Sequence, residues 1–357
     1  MYVNYLEQME ELLTITAQQG ASDLHLSANR YPAIRVDNNL IFLTNKNMLA
    51  VADIEGLVYS ILSEEQRARY EKEKELDLSY DLKEKARFRV NIYTSQSHIA
   101  AAFRLIPTHI RNIAELNLPN VLRRFTSLRQ GFFLSAGPAG HGKTTTLAAM
   151  VDEINHSRSD HIITIEDPIE YVYTPDRSII NQREVYTDTL SFHQALKSSL
   201  RQDPNVIMVG EMRDPETMST AITAAETGHF VLSTLHTNNA AQTIDRIVDS
   251  FPPFQQNQIR MQLAATLVGI VSQRLMPRIS GGRIPAVEVL IVNNAAQSLI
   301  RAGKTHELGL VIDTGLEDGM MSLNRSLADL VGRREISMED ALNYSMNVEE
   351  LRSLLGQ

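Results

Sequence analysis

The sequence predicts an α/β fold: a largely parallel sheet with helices on both faces, preceded by a smaller α+β unit. Three observations predict it. Gly137-Pro138-Ala139-Gly140-His141-Gly142-Lys143-Thr144 matches the phosphate-binding loop pattern G-x-x-x-x-G-K-[ST] in full. From Gly131 to Thr234, short apolar runs alternate with helical periods, as in a sheet whose parallel strands need helical crossovers. Between Ser22 and Ile106, shorter alternating runs read as an antiparallel meander.

The first unit, residues 1–106, opens on a helix from Tyr5 to Gln19, with Leu6, Met9, Leu12, Leu13 and Thr16 at helical spacing and Gly20 as its stop. Strands follow at Ser22 to Ser27 and Tyr31 to Val36, and Asp37-Asn38-Asn39 turns the chain into Leu40 to Leu43. Asp53 to Leu62 reads as an amphipathic helix, and Ser63-Glu64-Glu65-Gln66 as the capping box of another, whose charged run to Glu75 is solvated surface. Leu76 to Leu82, Ala86 to Tyr93 and His98 to Ile106 complete the sheet. A proline-bearing linker at 107–118 leads to the second unit, 119–357.

In the second unit Gly131 to Ala136 is a buried strand feeding the loop, and the helix leaving it runs to Asn155. Strands at Ile162 to Ile165, Val206 to Val209 and Phe230 to Thr234 alternate with helices at Ser191 to Arg201 and Glu216 to Glu226. Past Pro252 a long helix to Leu275, a hairpin around Ser280-Gly281-Gly282 and several short helices are expected.

Composition narrows the function. The 357 residues suffice for about two domains, and a 43% hydrophobic content supports ordinary cores. A net charge of −9 offers no overall positive field for nucleic acid, and the Arg123-Arg124 and Arg333-Arg334 pairs read as solvated helix faces. The chain has no cysteine, so it has no disulfide and no thiolate metal site. Its N-terminus is acidic and no run approaches the ~18 apolar residues of a membrane span, so a cytoplasmic protein is expected.

The loop points to a nucleoside triphosphate. Its glycines let backbone N–H groups curl around phosphate oxygens at a helix N-terminus. Gly137, Pro138, Ala139, Gly140, His141, Gly142, Lys143, Thr144 and the following Thr145 form the expected nucleotide cradle, with Lys143 on the β and γ phosphates and Thr144 on Mg²⁺. Val206 to Val209 is an apolar strand running into Gly210 and Glu211, a carboxylate that either holds Mg²⁺ through water, orients the attacking water, or merely caps the next helix. Thr164 to Glu170 carries three carboxylates, either as an acid-rich solvated turn or as site residues, of which Glu170 is the candidate base on water, with Glu166 and Asp167 orienting loops and metal waters. His229 and His236 bracket the last central strand, as γ-phosphate sensors or as hydrogen-bonded structural residues. Arg87, Arg89 and Arg104 alternate with apolar residues on strands of the first unit; Arg104 and Arg89 are the better candidates to neutralise charge in a transition state.

These residues fall within segments that resemble one family almost end to end. They are Ala21 to Leu26 (ASDLHL), Arg87 to Asn91 (RFRVN), Phe103 to Pro107 (FRLIP), the phosphate loop, and Ile163 to Tyr171 (ITIEDPIEY). Val209 to Thr217 (VGEMRDPET), Thr227 to Ala240 (TGHFVLSTLHTNNA) and Ser272 to Leu275 (SQRL) complete the set. The chain is similar to the type IV pilus retraction ATPases, the PilT-like branch of the secretion ATPase superfamily. The resemblance implies a PAS-like domain, a RecA-like ATPase domain, ATP and Mg²⁺ as ligands, nucleotide between the two domains, and a homo-hexameric ring. It implies an acidic-box catalytic role for Glu170, a Walker B role for Glu211, a histidine box in His229 and His236, and nucleotide-facing arginines in Arg89 and Arg104. The ring would act on an inner-membrane pilus platform protein, with a second retraction ATPase as a further partner. Two departures stand out: His141-Gly142-Lys143-Thr144 replaces SGKS, and Asn294 to Gly303 matches the retraction-linked AIRNLIRE element only in part. Alternatives are a pilus-assembly or type II secretion ATPase, disfavoured by the absence of a four-cysteine site, a nucleic-acid motor, disfavoured by charge, and a ring that binds ATP without turnover.

Overall fold

The computed structural model describes residues 4–36, 39–82, 86–106 and 109–356. Asp37 and Asn38 of the expected turn, and Pro107 and Thr108 at the head of the expected linker, lie outside the described residues. The chain divides into two compact units, Met1–His109 with Pro168–Val172, and Ile110–Asp167 with Tyr173–Gln357.

In the first unit α1 (Tyr5–Gln18) buries Met9, Leu12, Leu13 and Thr16 on one face, the spacing that makes a helix amphipathic. The strands β1 (Asp23–Leu26), β2 (Ala33–Val36) and β3 (Asn39–Phe42) precede the helices α2 (Val51–Tyr59) and α3 (Glu64–Glu73), and β4 (Glu75–Leu82), β5 (Ala86–Ser95) and β6 (His98–Ile106) follow them. They form one antiparallel sheet in the order β3-β2-β1-β6-β5-β4. Ser63 and Gln66 cap α3 reciprocally, as that four-residue signature predicts. Because strand side chains alternate, Leu24, Phe88, Val90, Ile92 and Phe103 turn inward against Met9, Leu13, Ile54 and Leu57, while Asp23, Arg87, Arg89 and Arg104 share the other face.

In the second unit α4 (Leu122–Thr126) precedes β7 (Gly131–Ala136), which is buried along its whole length, and α5 (Lys143–Ser157) follows the loop. Next come β8 (His161–Glu166), β9 (Ile179–Glu184), α6 (Phe192–Ser199), β10 (Val206–Val209), α7 (Pro215–Glu226), β11 (Phe230–Leu235), α8 (Ala240–Asp249) and α9 (Pro253–Thr266). The chain then forms β12 (Leu267–Pro277) and β13 (Arg283–Ile291), and ends in α10 (Asn294–Ala302), α11 (Leu308–Thr314), α12 (Leu323–Gly332), α13 (Met338–Tyr344) and α14 (Val348–Leu354). The seven strands lie in the order β13-β12-β7-β11-β10-β8-β9, parallel except for the edge pair β12 and β13. Phe132, Leu134, Ile163, Ile207 and Val231 turn to one face, against Leu196, Ile222, Ile259 and Leu263. Phe133 turns to the other, its ring 4.9 Å from that of Phe125 on α4.

The long helix expected past Pro252 is corrected here: it stops at Thr266, and Leu267–Pro277 pairs beside β7 as a strand. Val268, Ile270 and Val271 favour the pleated surface, and burial between β7 and β13 decides the outcome. Gly269 serves close packing, since a Cβ there would lie 2.5 Å from the Phe125 ring. The hairpin around Ser280-Gly281-Gly282 forms as expected between β12 and β13.

One half-buried carboxylate on β13 holds the start of α8: Glu288 Oε1 accepts the Ala240 N–H at 2.7 Å. Burial pushes the Glu288 carboxyl above its ordinary value of 4.5. The folded state therefore holds that proton to higher pH than the unfolded chain does, and stability falls as pH rises from about 4.5 through the folded value. Glu288→Gln keeps an oxygen for Ala240. Calorimetry should show its Tm a few degrees above wild type near pH 8, with the gain vanishing toward pH 4.5; a lower Tm near pH 8 would contradict this.

Candidate nucleotide site

The phosphate loop leaves the C-terminal end of β7, where parallel-sheet proteins place ligands. Gly137, Gly140 and Gly142 have φ of 145°, 76° and 84°, a region closed to most side chains. Gly137 is also sterically fixed, because a Cβ there would stand 2.4 Å from the backbone oxygen of Gln273 on β12. Pro138 and Ala139 bridge the first two glycines, and Gly142 caps α5, so the first helical residue is Lys143, followed by half-buried Thr144 and Thr145.

Lys143 is only 6% exposed. Its ammonium donates to the carbonyls of Gly137 and Pro138, both at 2.9 Å, and lies 3.3 Å from His236 Nδ1. An ammonium only donates, so Nδ1 is the acceptor and the imidazole proton resides on Nε2. Burial holds the His236 pKa below its ordinary value, and the Lys143 charge adds to this. His236 is thus neutral near pH 7, with Nε2 4.0 Å from Glu211 Oε2. Arg213 pairs with the other oxygen of Glu211, whose side chain is 17% exposed. The following helix α7 is capped by Asp214, which accepts the Thr217 N–H at 2.7 Å. Helix capping is therefore not the role of Glu211, which stands just past the C-terminal end of the interior strand β10.

Lys143, His236 and Glu211 are thus brought together, and Thr144 lies beside them in the first turn of α5. His229 is not. It sits at the opposite end of the six-residue strand β11, about 20 Å from the loop at strand rise, where Nδ1 donates to the Ala224 carbonyl at 2.8 Å. Within one chain the expected histidine pair reduces to His236, and His229 joins β11 to the end of α7. Glu170 lies on the Pro168–Val172 segment and pairs with Arg89 at 3.0 Å. Arg104 Nε donates to Asp23 at 2.9 Å while its side chain is 71% exposed, and Arg87 donates to Ser79. Glu166 is buried and accepts from Thr164 at 2.7 Å and Gln182 at 3.1 Å.

Gln273 falls within the family-like SQRL segment, but the sequence assigns it no role. Its amide donates to the His141 carbonyl at 2.7 Å and accepts from Thr146 Oγ1 at 2.7 Å. The available signal was a polar pair, Ser272-Gln273, continuing an apolar run, but that run was expected to be helical. The donor set also bears on Mg²⁺. Among the described residues no group of three or more His, Cys, Asp or Glu could cage a metal. A hydroxyl and one carboxylate suit an ion that takes most of its ligands from phosphate and water.

Residues 6–283 match the model of the type II/IV secretion system protein family. The chain belongs to this family. A type IV pilus retractation ATPase, PilT, of Pseudomonas aeruginosa is 45% identical over 331 residues, spanning 93% of this chain and 96% of the relative. A twitching motility protein of Neisseria gonorrhoeae is 43% identical, over 90% of this chain and 86% of the relative. The crystal structure of the pilus retraction motor PilT with bound ADP superposes with a TM-score of 0.90 at 44% identity, covering 96% of this chain and 98% of that one. As a secretion-family chain with this similarity to PilT, it has the α/β fold that its phosphate loop predicted. Among the described residues no helix is long and apolar enough to cross a membrane.

Gly137→Ala tests the loop geometry: the new methyl meets backbone, which cannot yield as a side chain can. Titration with fluorescent ADP should show affinity falling at least about tenfold, with Tm changed by a few degrees. Unaltered binding would mean that the loop tolerates a shift at its first glycine.

Proposed function

We propose that this chain is an ATP-hydrolysing motor that powers type IV pilus retraction. The carrying observation is the meeting of Lys143, His236 and Glu211 at the C-terminal ends of the central strands beside a complete phosphate loop, in a chain 45% identical to a pilus retraction ATPase. In this reading the loop N–H groups and Lys143 bind the phosphates, and Lys143 exchanges the carbonyls of Gly137 and Pro138 for β and γ oxygens. Thr144, and Glu211 through water, would hold Mg²⁺, which would supply positive charge to the phosphate oxygens. Glu170, once released from Arg89, takes a proton from water as that water's oxygen bonds the γ-phosphorus and the bond to the bridging oxygen breaks, giving ADP and phosphate. Arg89 and Arg104 offset charge that builds on the γ-phosphoryl oxygens, and neutral His236 relates the Lys143 side of the site to Glu211.

A homo-hexameric ring, an inner-membrane platform protein as its load and a second retraction ATPase as companion complete the proposal. The high identity to retraction proteins over nearly the whole chain supports it.

The test is ATPase activity across a sizing column. Activity should elute near six subunits, and Glu170→Gln and Lys143→Ala should each reduce kcat at least about 10³-fold. Activity in a monomer, indifferent to Glu170, would discard the ring and the base together. Glu211→Gln should retain ATP with turnover nearly lost; rapid turnover would remove Glu211 from the mechanism.

A further inference from the structure

The phosphate loop is not self-supporting in this protein. Four contacts tie it to residues 273–275 of β12, a strand that the loop pattern does not include. The Gln273 backbone oxygen closes over Gly137, leaving no space for a Cβ. Gln273 Nε2 donates to the His141 carbonyl at 2.7 Å, and Gln273 Oε1 accepts from Thr146 Oγ1 at 2.7 Å. The Leu275 N–H donates to His141 Nδ1 at 2.9 Å. Gln273 is 2% exposed, so its amide is matched to its partners with little help from water. One side chain thus spans the loop and the first turns of α5, while the next outward-paired position on the same strand holds the His141 ring.

We propose that Gln273 and His141 are positioning residues for nucleotide, acting through the loop: β12 clamps the loop in its phosphate-binding shape, and His141 is the latch of that clamp. The proposal rests on the nucleotide-binding reading above. The loop binds phosphate through backbone N–H groups, whose directions depend on the carbonyls and φ angles that Gln273 and Leu275 fix. At this position of the loop the chain carries an imidazole whose lone pair is committed to Leu275.

That commitment has a chemical signature. Protonated His141 carries N–H at both ring positions and cannot accept from Leu275, so the latch opens. The charges that face it are Arg274 of β12, Lys143 of α5 and Arg283 of β13, all cations. Burial, then these charges, hold its pKa below 6.5, so the latch is closed near pH 7.5 and opens only on acidification below 6.5.

The experiment is binding of fluorescent ADP to the full chain from about pH 5.5 to 8, comparing wild type, His141→Ser and Gln273→Leu, with Tm recorded for each. Gln273→Leu should weaken ADP about tenfold near pH 7.5 while the fold survives, because Thr146 can turn its hydroxyl to its own helix backbone. ADP and His236 titrate in every variant, so the readout is the Kd ratio of wild type to His141→Ser. That ratio should rise as pH falls, by up to about tenfold per unit once His141 protonates. A ratio independent of pH, or a wild type that gains affinity in acid as direct attraction of imidazolium to phosphate would give, overturns the proposal. So does wild-type affinity in Gln273→Leu. Failure of wild type to bind ADP at any pH would instead sink the nucleotide reading itself, and the clamp with it.

Discussion

A buried ammonium governs the centre of this protein. Taking Lys143 out of water is costly unless protein dipoles replace the lost solvent. Gly137 and Pro138 supply carbonyls and His236 a lone pair. The last of these requires His236 to be neutral, which burial and the lysine charge together secure. The same cation that phosphate will attract thus sets the tautomer of the histidine facing Glu211. Charge, protonation and geometry at the C-terminal ends of the central strands are a single arrangement, and altering one alters the others.

Arg89 and Arg104 of the first unit are held in different ways. Arg104 is anchored through Nε by a carboxylate that is nearly buried, leaving the rest of its guanidinium in solvent. Arg89 is held by Glu170 in a pair whose members are equally exposed, the kind of ion pair that water and salt readily exchange. The two cations stand side by side, since Arg89 and Arg104 are register partners on adjacent strands. Two like charges so placed repel unless counter-charges stand beside them, which Asp23, shared with Arg35, and Glu170 provide.

Much of this was legible in the sequence, for identifiable reasons. The loop is written in residue types that only its backbone requires, so Gly137, Gly142 and Lys143 could be read directly. β7 and β10 are short continuous apolar runs, and Ser63 to Gln66 is a local capping code. Elements that depend on distant neighbours were less visible. Leu267–Pro277 follows a helix and contains Gln273 and Arg274, so helical spacing could be imposed on it, and only its slot between β7 and β13 decides otherwise. β9 is a half-exposed edge strand with the polar sequence IINQRE and no apolar signature of its own. His229 and His236 looked equivalent because alternation along one strand says nothing about which end carries the ligand loop.

The clamp also redraws the smallest part of the chain that could work by itself. A strand, a loop and a helix suffice to recognise the motif, yet the loop leans on backbone and side chain about 130 residues further along, at Gln273 and Leu275. A fragment cut after α9 would keep every residue of the motif and lose the surface against which the loop is shaped. Independent folding of the nucleotide-binding module therefore extends at least through β12. The strand that seals it, β13, carries Glu288 and so also fixes the start of α8, so this edge pair belongs to the module's core.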